Sequence, residues 1–187
     1  MSNPDPDKDQ HMFITLEGPD GSGKTTQVKP LVDFLLSKGY PIFAAREPGG
    51  TTIGDQVREI LMRLDNKSMN PCTETLLFCA ARAQLVSEVI RPELAKGKIV
   101  LLDRYADSTL AYQGYGHQND LEQIRQVLQF ATGGLKPDLT ILFDIDAEAG
   151  LHRRQVGGWG MEPPGRLPPG TPSAHPPGIL GDGQSRT

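Results

Sequence analysis

The sequence predicts an α/β fold, a parallel sheet flanked by helices, and three observations carry that prediction. Short apolar runs alternate with longer segments whose apolar residues recur at helical spacing. A glycine-rich turn joins the first run to the first helical segment. The chemically suggestive residues, Asp103, Arg104, Asp144 and Asp146, directly follow apolar runs, where strand carboxyl ends would place them beside a ligand.

Met12-Phe13-Ile14-Thr15-Leu16 reads as a buried strand, and Val28, Leu31, Val32, Leu35 and Leu36 share a helical spacing behind it. Pro30 should kink that helix or be tolerated near its start. Gly39 is a natural stop before a second strand, Pro41-Ile42-Phe43-Ala44-Ala45. Arg46-Glu47-Pro48-Gly49-Gly50-Thr51 holds too many turn formers to continue either element. A helix follows with Val57, Ile60, Leu61 and Leu64 on one face, then a loop over residues 66–71. Residues 73–90 form a longer helix with Leu76, Leu77, Ala80, Leu85 and Val89 turned inward. Ile99-Val100-Leu101-Leu102 is the continuous run expected of a central parallel strand. A helix over residues 119–132 stops at Gly133-Gly134, and Leu139-Thr140-Ile141-Leu142-Phe143 is the fourth strand.

The 187 residues suffice for one domain with a sizeable core. A formal charge of −4 argues against a nucleic-acid partner, and no apolar run reaches the ~18 residues of a membrane helix. Residues 1–11 are polar and acidic and read as a disordered tail, not a secretory signal. Cys72 and Cys79 lie on one helix and suggest neither a disulfide framework nor a metal site, so a cytoplasmic setting is expected. The domain should span residues 12–155. From Val156 onward prolines and glycines make up nearly half the chain, and residues 156–187 read as a disordered tail more than as a proline-rich ligand.

Gly18-Pro19-Asp20-Gly21-Ser22-Gly23-Lys24-Thr25 fits G-x-x-x-x-G-K-[ST] in the strand–turn–helix context that the motif requires. Backbone N–H groups and the positive end of the helix dipole suit nucleotide phosphates. Lys24 would reach the β- and γ-phosphates, and the Thr25 hydroxyl would ligate Mg²⁺. An ordinary glycine-rich turn is the plainer alternative. Asp103, at a strand end facing this loop, can hold Mg²⁺, and the adjacent Arg104 can bridge phosphates. A surface ion pair is the plainer reading of those two.

Phe78 and Arg82 lie four apart, so they share a helix face that could stack on a nucleobase and hydrogen-bond its edge. A core phenylalanine with an arginine snorkelling outward explains the same spacing. Ser108, Thr109, Tyr112 and Gln113, just past the third strand, line a pocket or merely face water.

Four stretches resemble the thymidylate kinase family: residues 18–26 (GPDGSGKTT), 46–51 (REPGGT), 78–82 (FCAAR) and 103–114 (DRYADSTLAYQG). They occur in family order, and the last is particularly specific. The resemblance covers about residues 12–155 and implies a P-loop kinase fold that usually dimerises. It also implies transfer of the ATP γ-phosphoryl to dTMP with Mg²⁺. Gly18, Pro19, Asp20, Gly21, Ser22, Gly23, Lys24, Thr25 and Thr26 would bind ATP, and Thr25 and Asp103 the metal. Phe78 would stack on thymine, Arg82 bond its edge, and Arg104 grip the dTMP phosphate. Asp20 would hold the sugar hydroxyl or a metal-bound water, and Tyr112 would exclude a 2′-hydroxyl. Glu47 and Pro48 would border the acceptor pocket, with Ser108, Thr109 and Gln113 nearby. The implied catalytic set is Asp20, Lys24, Arg104 and Arg153.

Gly21, where other members carry a basic residue, resembles the bacterial type, in which the cation over the transferring group comes from a mobile lid. That lid should follow Ala149-Gly150-Leu151-His152-Arg153-Arg154, yet the likeness stops there, and the last strand and helix are read as missing. A reading-frame shift is the favoured explanation. The expectation is a poorly active or unstable chain, since such a cation is worth about 10³–10⁵ in rate. Two other functions remain open. One is a kinase for another nucleoside monophosphate or for a deoxynucleoside, with Glu47 as base; the other is a nucleotide-binding remnant without activity.

Overall fold

A computed structural model describes residues 11–146 together with 149, 150, 152 and 153. Residues 1–10, the expected lid body beyond Arg154 and the 156–187 tail lie outside the described residues. Four parallel strands, β1 (Met12–Glu17), β2 (Ile42–Arg46), β3 (Ile99–Asp103) and β4 (Leu139–Leu142), form one sheet in the order β2-β3-β1-β4. Parallel neighbours cannot be joined by tight hairpins, so the connections are helical. They are α1 (Lys24–Ser37), α2 (Thr52–Met62), α3 (Pro71–Leu85), α4 (Arg91–Ala95), α5 (Ala106–Thr109) and α6 (Leu121–Thr132).

Alternation along the strands divides the core into two layers. Phe13, Phe43, Val100 and Leu102 face Leu85, Val86, Val89 and Ile90. Ile14, Leu16, Ala44 and Leu101 face Val28 and Val32 of α1. All five residues of β3 are buried, which is why its sequence is continuously apolar. Each fully buried leucine there contributes about 1.5–3 kcal/mol. β4, at one edge of the described sheet, leaves Leu139 and Leu142 exposed.

Helix ends follow their local chemistry. The Thr51 hydroxyl accepts from the Gly54 N–H at 2.9 Å, Asn70 accepts from the Cys72 N–H at 2.8 Å, and Asp120 accepts from the Glu122 N–H at 2.8 Å. Gly133 closes α6 in the left-handed conformation, φ 56°. Pro30 neither ends α1 nor lies near its start; it sits exposed inside a continuous helix.

Two expected faces are corrected. Ile60 and Leu64 are 44% and 66% exposed, while Gly54 and Arg58 carry the buried side of α2. On α3, Leu76 and Ala80 face outward, and Thr75, Cys79, Arg82 and Leu85 face in. Apolar residues occur nearly all round α3, so periodicity could not settle its rotation. The expected helix over 73–90 is also interrupted: a wide π-type turn, Val86–Ile90, separates α3 from α4. A second, Leu110–Gly116, follows α5. Such turns occur frequently at functional sites.

Candidate active site

β1 and β3 are neighbours in register, with Leu16 beside Asp103, and Arg46 of β2 lies beside Asp103 on the other flank. The three segments leaving these strands therefore emerge at one level. Backbone bonds tie them together: the Arg104 N–H donates to Leu16 O and the Glu47 N–H to Asp103 O, both at 3.0 Å.

The segment after β1 is the glycine-rich loop. Gly18, Gly21 and Gly23 have φ of 141°, 78° and 96°, values that side chains resist. A Cβ on Gly18 would stand 2.5 Å from Phe143 O, and one on Gly21 would stand 2.2 Å from Gly150 O. No side chain caps the start of α1, which leaves its N-terminus to an anion. Lys24 is 5% exposed and lies across the loop, donating to Gly18 O and Pro19 O at 2.8 Å and to Ser22 Oγ at 3.2 Å. Burial, and then the nearby Arg104, hold its ammonium below the ordinary lysine value.

Thr25 donates its hydroxyl to Asp103 Oδ2 at 2.5 Å, and Asp103 Oδ1 is buried without a partner among the described residues. A buried carboxylate oxygen beside a hydroxyl at a glycine-rich loop is a donor set that fits Mg²⁺, which prefers hard oxygens and retains phosphate and water ligands. No group of three or more His, Cys, Asp or Glu among the described residues could enclose a metal alone.

Arg104 occupies the space between the loop and α5. Its φ of 74° is unusual for a residue with a side chain and costs about 1–2 kcal/mol. Nη1 donates to Ser108 Oγ at 3.0 Å and reaches Gly18 O at 3.4 Å; Nη2 pairs with Asp20. The guanidinium lies over the Tyr112 ring, 5.2 Å from its centroid.

Arg82, one turn beyond the half-buried Phe78, is 1% exposed and does not snorkel. Nε donates to Glu47 Oε2 at 2.7 Å, Nη1 to Thr109 Oγ1 at 3.0 Å and Nη2 to Tyr105 O at 2.9 Å. Burial raises the Glu47 carboxyl above its ordinary value against the pull of Arg82. This engagement disfavours Glu47 as a base, although its Oε1 is buried without a partner among the described residues. Pro48, joined to Glu47 by a cis peptide, accepts from Arg58 Nη1 at 2.6 Å. Gln113 is buried and donates to Glu74 Oε1 at 2.7 Å.

A cavity of about 730 Å³ opens on the β4 side of the loop. Gly21, Ser22, Gly23, Thr26, Phe34, Phe143 and Arg153 are among its lining residues. The structure thus brings Arg153 to the loop's outer side, while Glu47, Arg82, Ser108, Thr109 and Tyr112 gather around Arg104 and Tyr105.

Two residues escaped the sequence reading. Glu17, buried, accepts from the Tyr105 N–H at 2.7 Å and from the Ser108 hydroxyl at 2.6 Å. Arg58 is 9% exposed, its Nη2 has no partner among the described residues, and burial followed by Arg46 lowers its pKa to about 10. A charged residue ending an apolar run was the available signal for Glu17. Arg58 had none, since a helix arginine ordinarily faces water.

The parallel sheet, the glycine-rich loop and the strand-end Asp103-Arg104 pair define a P-loop kinase fold. A model of the thymidylate kinase family matches residues 16–159. Thymidylate kinase of Roseiflexus castenholzii is 58% identical over 144 residues, 77% of this chain and 63% of that protein. That of an Exiguobacterium species is 55% identical over 147 residues, 79% of this chain and 69% of that one. The crystal structure of thymidylate kinase from Ehrlichia chaffeensis superposes with a TM-score of 0.68 at 39% identity, covering 80% of this chain and 85% of that one. The chain belongs to the thymidylate kinase family, and the match spans 63% of the length of its Roseiflexus relative.

Proposed function

We propose that the chain transfers the γ-phosphoryl group of ATP to dTMP, forming dTDP and ADP. The observation that carries this reading is the place of Arg104, between a phosphate-binding loop and the buried Arg82–Glu47–Thr109 cluster. One side suits a triphosphate; the other suits a nucleoside monophosphate. ATP phosphates would lie on the N–H groups of residues 18–26, with Lys24 turning from its loop carbonyls toward them. Thr25 and Asp103 would hold Mg²⁺, which neutralises charge on the phosphates.

Phe78 would stack on thymine, Arg82 would address its edge, and Tyr112 would crowd a 2′-hydroxyl. Arg104 and Arg58 Nη2, which has no partner among the described residues, would meet the acceptor phosphate. An acceptor phosphate oxygen forms the new bond to Pγ as the bond from Pγ to the bridging oxygen of ADP breaks. Alignment and charge neutralisation suffice, and no strong base is needed. Exposed Ile53 and Ile60 on α2, Leu76 on α3 and Leu64 in the turn between them support a homodimer. Two free cysteines suit a reducing, cytoplasmic setting. No helix among the described residues is long and apolar enough to cross a membrane.

A coupled ADP-release assay with dTMP, dUMP, dCMP and thymidine tests the reading. The expected result is turnover with dTMP above the others and a loss of at least about 10²-fold in Lys24→Met. Preference for another acceptor would replace the reading, and Mg·ATP binding without transfer would favour the inactive remnant. Near-normal turnover would refute the expectation of a weakened chain.

A further inference from the structure

We propose that Glu17 is a positioning residue for Arg104, an inference that rests on the proposed role of Arg104 at the acceptor phosphate. Glu17 ends β1, one residue before the glycine-rich loop, and is 5% exposed. Both carboxylate oxygens are used: Oε1 accepts from the Tyr105 N–H at 2.7 Å and Oε2 from the Ser108 hydroxyl at 2.6 Å. The Ser108 oxygen accepts in turn from Arg104 Nη1 at 3.0 Å. Leu16, the preceding residue, accepts the Arg104 N–H at 3.0 Å. Two consecutive residues of a strand beside β3 thus hold residue 104 at both ends, main chain and guanidinium.

Arg104 needs that hold. Its φ of 74° persists only where neighbours over-determine it. A long side chain would otherwise sample many rotamers instead of the one that crosses the loop toward Asp20 and Tyr112. Glu17 makes no ion pair within 4 Å among the described residues, and its two hydrogen bonds and the nearby Arg104 charge only partly offset its burial. Its two bonds run instead to the turn after Arg104 and to the hydroxyl that Arg104 grips. A neutral apolar residue would serve β1 equally well as core, and it would leave both donors unanswered.

Calorimetric binding of dTMP and of thymidine, which lacks the phosphate, separates positioning from general damage. Glu17→Ala and Ser108→Ala should weaken dTMP binding about tenfold, the effect of losing a hydrogen bond that orients a charged group, and leave thymidine binding unchanged. Glu17→Gln should stay within about threefold, because its amide can accept from Tyr105 and donate to Ser108. In an Arg104→Ala background, Glu17→Ala should add less than about twofold. Unchanged dTMP binding, an equal loss for thymidine, or full additivity with Arg104→Ala would overturn the proposal. Should Glu17→Ala fail to fold, Ser108→Ala carries the same test. If the unsubstituted chain binds neither compound, the acceptor reading fails by itself. The Arg104 Nε–H resonance, identified by its loss in Arg104→Lys, then decides for Glu17. Its broadening in Ser108→Ala supports the hold, and an unchanged signal refutes it.

Discussion

On the β3 side of the glycine-rich loop, polar groups are buried or half-buried and bonded to one another: Glu17 to Ser108 and Tyr105, Arg82 to Glu47 and Thr109, and Thr25 to Asp103. On the β4 side, Phe34 and Leu142 are exposed, and a cavity of about 730 Å³ separates α1 from the strand. One loop thus borders a tightly over-determined region and a loosely covered one. The difference suits the proposed function, in which orienting a small phosphate ester between fixed donors needs pre-organised side chains. Such polar burial is stable only when nearly every group is satisfied, which makes that side sensitive to single changes.

The sharpest way to break this comparison is Glu47→Ala, which leaves the Arg82 guanidinium buried without its counter-charge. The expected cost is about 3–5 kcal/mol, read from the urea midpoint at constant m-value. A loss below about 1 kcal/mol would mean that water reaches Arg82 freely. Next comes a matched pair. Leu102→Ala, in fully buried β3, should cost about 2–5 kcal/mol. Leu142→Ala, 65% exposed on β4, should cost less than about 0.5 kcal/mol. Equal losses from the two would show that β4 is covered more fully than its exposure indicates.

The smallest effect is one of pH. Burial raises the Glu17 carboxyl above the ordinary 4.5, against hydrogen bonds that lower it. The native state therefore holds this proton more tightly than the unfolded chain. Stability from this group is greatest below pH 4.5 and is lost as pH rises through the raised value. Glu93 is opposite in sign: bonds from Lys96 and Lys98 outweigh burial and lower it. It stabilises the native state above pH 4.5 and loses that contribution as pH falls through its lowered value. The stability difference between the unsubstituted chain and Glu17→Gln should therefore drift against the former as pH rises above 4.5. A flat difference would place Glu17 in contact with water.

The parts that could be read from the chain were those in which a residue type has one structural meaning. Continuous apolar runs marked the strands, and Gly18, Gly21 and Gly23 marked backbone that only glycine tolerates. Gly133 marked the end of α6. The faces of α2 and α3 were misread because their exposed apolar residues carry the same periodic signal as a core stripe. The wide turns Val86–Ile90 and Leu110–Gly116 left no trace, since one extra residue in a helical turn alters no composition. Arg82 was visible as a helix neighbour of Phe78, but its burial depends on Glu47, 35 positions away, and such pairing is fixed only by the fold.

Gly21 and Gly150 meet backbone to backbone: a Cβ on the first would lie 2.2 Å from the carbonyl oxygen of the second, and one on Gly150 would lie 2.7 Å from Asp20 O. The two positions are coupled by geometry. A lysine or arginine at position 21 would add a cation to the loop, but its first carbon would collide with main chain that cannot swing aside as a side chain can. A charged side chain at position 21 therefore requires the main chain at Gly150 to shift with it.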